Sequence, residues 1–436
     1  MATTRDSLRI GRMPIHFFTI AVIFFGAGVA ATPFLVGRVV DFFYQPPILA
    51  LVHIFTLGWI TASIMGVMYR YVPALTRRPI AYPRIAIWQL ALFVIGAIGL
   101  ISHFANGIWV GVWFSAAILI VSVAMFAANM LPCLYPRLGR GVAETGMFLS
   151  VCFLFLAASI GFVLSLDKTY DLLGGDVLTN LASHVHFAAL GWVTLTICAV
   201  SYRMLPAFIL PKIRLPKSTV WQLWTLAAAT VALGVTLLFE LPGALLWSVA
   251  IGASLIAYMI TMGRLMRSRR MPIDFTALHA VAGIVWLVLA VVAGLTLAAV
   301  GPQGVAGSRL ASAYGAMGLL GWITNFIIGM SYQLFPGFVV RARSTAGWRA
   351  VTVAELSIES IRGPVFVSYN GGVALLVMGF LLASKFIAQV GAIGLAIGGI
   401  AYSVSTLWTL SFAYRETVPR AANNPLRVLP PERPTS

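Results

Sequence analysis

Histidine is the side chain in this sequence whose placement most suggests chemistry. Two histidines, His53 and His186, open copies of one pattern, and a third copy has lost it. The copies read His53-Ile-Phe-Thr-Leu-Gly58-Trp59-Ile-Thr61, His186-Phe-Ala-Ala-Leu-Gly191-Trp192-Val-Thr194 and Ala316-Met-Gly-Leu-Leu-Gly321-Trp322-Ile-Thr324. Each continues to a tyrosine (Tyr69, Tyr202, Tyr332) and then a proline (Pro73, Pro206, Pro336) at constant spacing. The interval between copies, roughly 130 residues, points to one large unit present three times. Imidazole suits iron, copper and zinc. The cysteines and carboxylates of many zinc or calcium cages are not in view, with Glu240 the one acid near span depth. Histidine-only ligation in an apolar setting fits heme, with copper as the second choice. In His184-Val-His186 the two rings project roughly 200° apart on a helix, so one helix could serve two sites.

The elements that must carry these rings are membrane helices. Of the 436 residues, 60% are hydrophobic and 9% charged, too apolar for a soluble domain. Twelve spans of about 20 residues begin near Ile15, Ile48, Ile85, Val110, Thr145, Leu181, Val220, Leu245, Phe275, Leu310, Gly371 and Ala392. The expected fold is an all-α integral membrane bundle of twelve transmembrane helices in three pseudo-symmetric four-helix repeats. Those repeats cover about 13–140, 141–270 and 271–418, with a cytoplasmic tail at 419–436. The longest connection, about Arg341 to Tyr369, is polar and has room for one short surface helix.

A net charge of +17 invites a nucleic-acid reading, but its distribution excludes one. With a cytoplasmic N-terminus, only Arg38, Lys168, Arg309 and Lys385 of the 29 Lys and Arg fall outside. That is the positive-inside rule, and it places both termini in the cytoplasm of a bacterial-type inner membrane. The first span lacks a small-residue cleavage site and reads as a retained helix. Cys133, Cys152 and Cys198 form no Cys-x-x-Cys motif and read as apolar filler.

Orientation then sets depth. His53, His184 and His186 fall near the outer ends of spans two and six, and His103 at the outer end of span three. Intramembrane polar groups at one level mark a functional interior. His16 and His279 lie toward the inner side and take an ordinary structural reading. Gly58, Gly191 and Gly321 allow close approach, and Trp59, Trp192 and Trp322 are too deep for an interfacial belt. The Tyr-Arg-x-x-Pro ends read as interfacial anchors followed by a helix stop.

On these residues the chain resembles the subunit I superfamily of heme–copper oxidases, especially C-family oxidases and nitric oxide reductases. Ser183-His184-Val-His186-Phe-Ala-Ala-Leu-Gly191-Trp192 is similar to that family's tenth helix, where the first histidine of His-x-His binds the high-spin heme and the second a low-spin heme. The stretch from His53 through Met65-Gly66-Val-Met-Tyr69 and Arg78-Pro79 to Arg84 is similar to its sixth helix, which carries a copper-binding histidine. His103 falls where the family keeps a histidine pair for the same copper. By chain order these spans should match the second and sixth helices, so the pattern is rotated by one unit. Ala316, with Tyr314 nearby, stands where a low-spin ligand is needed. NnrS-type membrane proteins, twelve-span relatives linked to nitric oxide stress, are similar too.

The resemblance implies a b-type heme on His184, His186 and His53, and copper on His53 and His103. It implies respiratory electron transfer or O2/NO chemistry, oxidoreductase activity left open, and a cytochrome c-like or other electron-donating subunit beside the lipid bilayer. Two alternatives compete: a cofactor-free twelve-span transporter, and a degenerate structural subunit, which the loss of histidine at Ala316 favours.

Overall fold

The structure, a computed structural model, describes residues 4–417, with side chains from Arg12 onward. The expected tail at 419–436 lies outside the described residues. Twelve helices are long and apolar enough to cross a membrane. They are α1 Arg12–Asp41, α2 Pro46–Thr76, α3 Pro83–Ala105, α4 Trp109–Arg137, α5 Val142–Tyr170, α6 Val177–Ile209, α7 Ser218–Leu238, α8 Ala244–Arg267, α9 Phe275–Val300, α10 Gly304–Thr345, α11 Glu359–Leu381 and α12 Lys385–Ser411. No strand occurs among the described residues. The chain is an all-helical protein of multi-pass membrane type, each span satisfying its backbone groups within its own helix as lipid requires.

Local chemistry sets the helix starts. The Asp176 carboxylate accepts the Thr179 N–H at 3.0 Å, Asp274 accepts that of Ala277 at 2.9 Å, and the Ser384 hydroxyl accepts that of Ile387 at 3.3 Å. The eleventh span, expected to begin near Gly371, begins at Glu359. The polar residues near Asn370 suggested a loop reaching Tyr369, yet α10 continues to Thr345 and α11 is already helical at Arg362. Their polar groups are satisfied inside the bundle: Ser368 donates to Gly394 O at 2.8 Å, and Asn370 exchanges amide bonds with Asn325. The connection is therefore shorter than expected and holds one single turn, Ala354–Leu356, while a second, Glu359–Ile361, opens α11.

Helices α2, α6 and α10 are the most enclosed, with 67%, 72% and 72% of their apolar stretches buried against 28–50% elsewhere. They carry the three motif copies. In each, the helix widens to i→i+5 hydrogen bonding over Ile54–Thr61, Phe187–Thr194 and Met317–Thr324. Such π turns are rare and collect at functional sites. Here each begins one residue after His53, His186 or Ala316. The motif glycines receive an aromatic ring from the preceding helix: Phe24 covers Gly58, Phe153 covers Gly191 and Trp286 covers Gly321. A methyl group at any of the three would overlap that ring, so glycine is required by approach.

The motif tryptophans are buried to 2% exposure or less and link one copy to another. Trp192 Nε1 donates to Thr61 Oγ1 at 3.2 Å, and Trp322 Nε1 to Thr194 Oγ1 at 3.3 Å. Trp59 Nε1 finds no acceptor among the described residues, and Thr324, the matching threonine of the third copy, donates to Leu319 O of its own helix. Edge-on aromatics complete the contacts: Phe126 meets Trp192, Tyr258 meets Trp322 and Tyr402 meets Trp59, with centroids 5.9–6.3 Å apart.

The motif tyrosines are not interfacial anchors. Tyr69 donates to Gln89 Oε1 at 3.2 Å and Tyr202 to Gln222 Oε1 at 3.0 Å, and each glutamine amide donates to a serine, Ser122 or Ser254. Nor do Pro73, Pro206 and Pro336 stop their helices, which continue to Thr76, Ile209 and Thr345. Neighbouring helices hold the chain helical past the missing N–H.

Candidate functional site

A cavity of about 860 Å³ lies among α2, α5, α6, α9 and α10. It falls in the size range of cofactor and ligand sites. His53, His184 and His186 all border it, together with Tyr314 and Ala316. Leucine, valine, phenylalanine and alanine supply most of the remaining wall. The three rings are half-buried, and what exposes them is this cavity.

Each ring is held the same way. His53 Nδ1 lies 2.7 Å from Leu49 O, His186 Nδ1 2.7 Å from Ala182 O, and His184 Nδ1 3.0 Å from Ala157 O. A carbonyl oxygen only accepts, so Nδ1 carries the proton in all three and the lone pair is on Nε2. Bonding of the second ring nitrogen to a carbonyl is what orients histidine ligands in metal sites. For His53 and His186 the carbonyl is one turn back on the same helix. For His184 it belongs to α5, where Gly161 leaves room for the ring.

The two rings of the His-x-His pair address different neighbours, as their angular separation requires. His184 leans on α5 and borders the same cavity as His53. His53 itself stacks on Phe104, centroids 4.9 Å apart. His186 faces α10, where Tyr314 Oη stands 3.4 Å from its Nε2. The sequence pattern places Tyr314 at the position that His184 holds one copy earlier, a correspondence that was visible but carried no role until the rings were seen to meet.

His103 is not part of this wall. Its neighbour Phe104 is, while the His103 ring lies against Gly111 on α4 with Nδ1 3.1 Å from Ser115 Oγ. That hydroxyl gives its own proton to Gly111 O, so His103 is the donor. His53 and His103 are thus not brought to a common cavity. Among the described residues no group of three or more His, Cys, Asp and Glu side chains gathers to hold a metal ion.

The remaining histidines are placed apart. His16 Nδ1 lies 2.9 Å from Tyr414 Oη. His279 is fully buried, its Nδ1 2.7 Å from Asn325 Oδ1, in a cluster with Asn370 and Trp286. A buried acid near span depth also escaped the sequence reading: Glu144, in the first turn of α5, is 8% exposed. It lies where the helix N-terminus favours negative charge. Compared with known proteins, the chain matches no family model and no curated relative.

Proposed function

We propose that this chain is a heme-binding integral membrane protein, built from a triplicated four-helix unit and acting in respiratory electron transfer or in O2/NO chemistry. One observation carries the reading: His53, His184 and His186 border a single apolar cavity, each with its proton fixed on Nδ1 and its lone pair on Nε2. That donor set suits iron with axial imidazole, and a cavity of about 860 Å³ with apolar walls suits a flat macrocycle. Recurring π turns, aromatic-on-glycine contacts and the tryptophan–threonine links at matching motif positions support the triplication.

His184 and His53 would hold iron on the α2–α5–α6 side, and His186 on the α10 side. Bound heme would supply a redox-active iron able to pass electrons or take up a diatomic gas. The chain's own residues set the conditions for that. The carbonyls of Leu49, Ala157 and Ala182 restrict ring rotation, so ligand geometry is built before anything binds. The aliphatic walls exclude water and lower the local dielectric, which makes every polar contact inside count for more. Tyr314 Oη meets the Nε2 lone pair of His186, so this hydroxyl would have to turn away where His186 held iron. Copper on His53 and His103 draws less support, since those rings do not share a cavity.

The test is the reduced-minus-oxidised absorption spectrum of the detergent-purified chain. Soret and alpha bands are expected, and His184→Ala and His186→Ala should each remove or shift them. His279→Ala should leave them alone, because its ring sits in the Asn325 cluster away from the cavity wall. An iron-free preparation, or unchanged bands in both of the first two variants, would retire the assignment.

A further inference from the structure

At the end of the bundle where Tyr414 meets His16, a second cavity lies among α10, α11, α12 and the connection before α11. Its volume is about 30 Å³, above the ~10–15 Å³ that one water molecule needs and far below that of a headgroup or nucleotide. Arg362, Tyr332, Ser331, Thr406 and Thr409 line it. Arg362 is 8% exposed. Its closest carboxylate oxygen, Glu359 Oε1, is 4.0 Å away on a side chain that is itself 78% exposed. The guanidinium sits 4.8 Å over the Tyr332 ring and makes no hydrogen bond among the described residues.

Tyr332 Oη is buried and also has no partner among the described residues, unlike Tyr69 and Tyr202, which each have a glutamine. The neighbouring hydroxyls of Ser331 and Thr409 are engaged elsewhere, and neither bonds Tyr332 or Arg362. Ser331 donates to Ile328 O and receives Tyr402 Oη, and Thr409 donates to Leu356 O. A buried cation and a buried hydroxyl thus face one small cavity without a hydrogen-bond partner among the described residues, and the nearest counter-charge is the exposed Glu359 carboxylate at 4.0 Å. Buried charge is costly unless it is paired and hydrogen-bonded.

We propose that this cavity binds a small inorganic monoanion of chloride, bromide or nitrate size, held by the Arg362 guanidinium and the Tyr332 hydroxyl. The site is independent of the heme reading and shares no residue with it.

The experiment is a melting series on the purified full-length chain in detergent, followed by tryptophan fluorescence. Sodium bromide replaces sodium gluconate at constant ionic strength. Bromide should raise the melting temperature saturably, by preferential binding to the folded state, while gluconate should not. Arg362→Gln should abolish the bromide dependence. Tyr332→Phe keeps the ring and the cation, and loss of a charge-assisted hydrogen bond should raise the half-saturating bromide concentration by about tenfold or more. If Arg362→Gln does not fold, Tyr332→Phe decides. Identical melting of the wild type in both salts, or an unchanged half-saturation in Tyr332→Phe, overturns the proposal. So does an ordered water without bromide anomalous signal beside Arg362.

Discussion

Gly161→Ala tests the cavity geometry without touching a histidine. Gly161 is on α5, opposite the His184 ring, and a Cβ built there lies 2.7 Å from His184 Cε1. Carbon atoms rest at about 3.5 Å or more, so the ring must retreat by roughly 0.8 Å. Its anchor does not retreat with it. His184 Nδ1 is 3.0 Å from Ala157 O, and the same displacement carries it toward ~3.8 Å, beyond hydrogen-bonding range. The variant should lose about 1–3 kcal/mol of stability from the stranded polar pair. Loss of an orienting partner typically costs 10–100-fold in metal affinity, so heme content after detergent washing should fall. The assay is heme per polypeptide together with the reduced spectrum, beside Gly263→Ala as a control, where an added methyl meets nothing within 4 Å. Wild-type heme content and bands in Gly161→Ala, in a background where His184→Ala loses them, would refute the claim that the Ala157 carbonyl positions His184.

Three further outcomes are expected. Tyr314→Phe should retain heme at least as well as the wild type, since it removes a hydroxyl that competes for the His186 Nε2 lone pair at 3.4 Å; heme per polypeptide after detergent washing reads this, and a fall counts against His186 as a ligand. His103→Ala should not alter copper per polypeptide, because its ring is engaged at Ser115 away from the cavity, and metal analysis of both proteins decides it. The connection before α11 should loosen in acid. The Thr352 N–H donates to Glu355 Oε2 at 2.8 Å and, with Arg349 nearby, holds that carboxyl below its ordinary value. A depressed carboxyl stabilises above its unfolded pKa and loses that effect as pH falls through the folded one. Protection factors for hydrogen exchange across 346–358, taken relative to intrinsic exchange at each pH, should therefore fall below the usual glutamate range, and Glu355→Gln should remove that fall.

Much of this architecture was legible in one dimension, because hydrophobic length is a local property that the bilayer reads span by span. Twelve spans and the tripled motif followed from residue type and spacing, which also singled out His53, His184 and His186, the three histidines that border the large cavity. The differences arise where a polar residue finds its partner across the bundle. Ser368 and Asn370 looked like loop and are helix, and Tyr69 and Tyr202 looked interfacial and are bonded to glutamines. Only the tertiary structure decided that Phe104, one residue beyond His103, faces the cavity in its place, or that Tyr314 meets His186. The physical reason is rotation. One residue turns a helix by about 100°, and a membrane helix that is apolar on every side carries no periodicity to say which face looks inward.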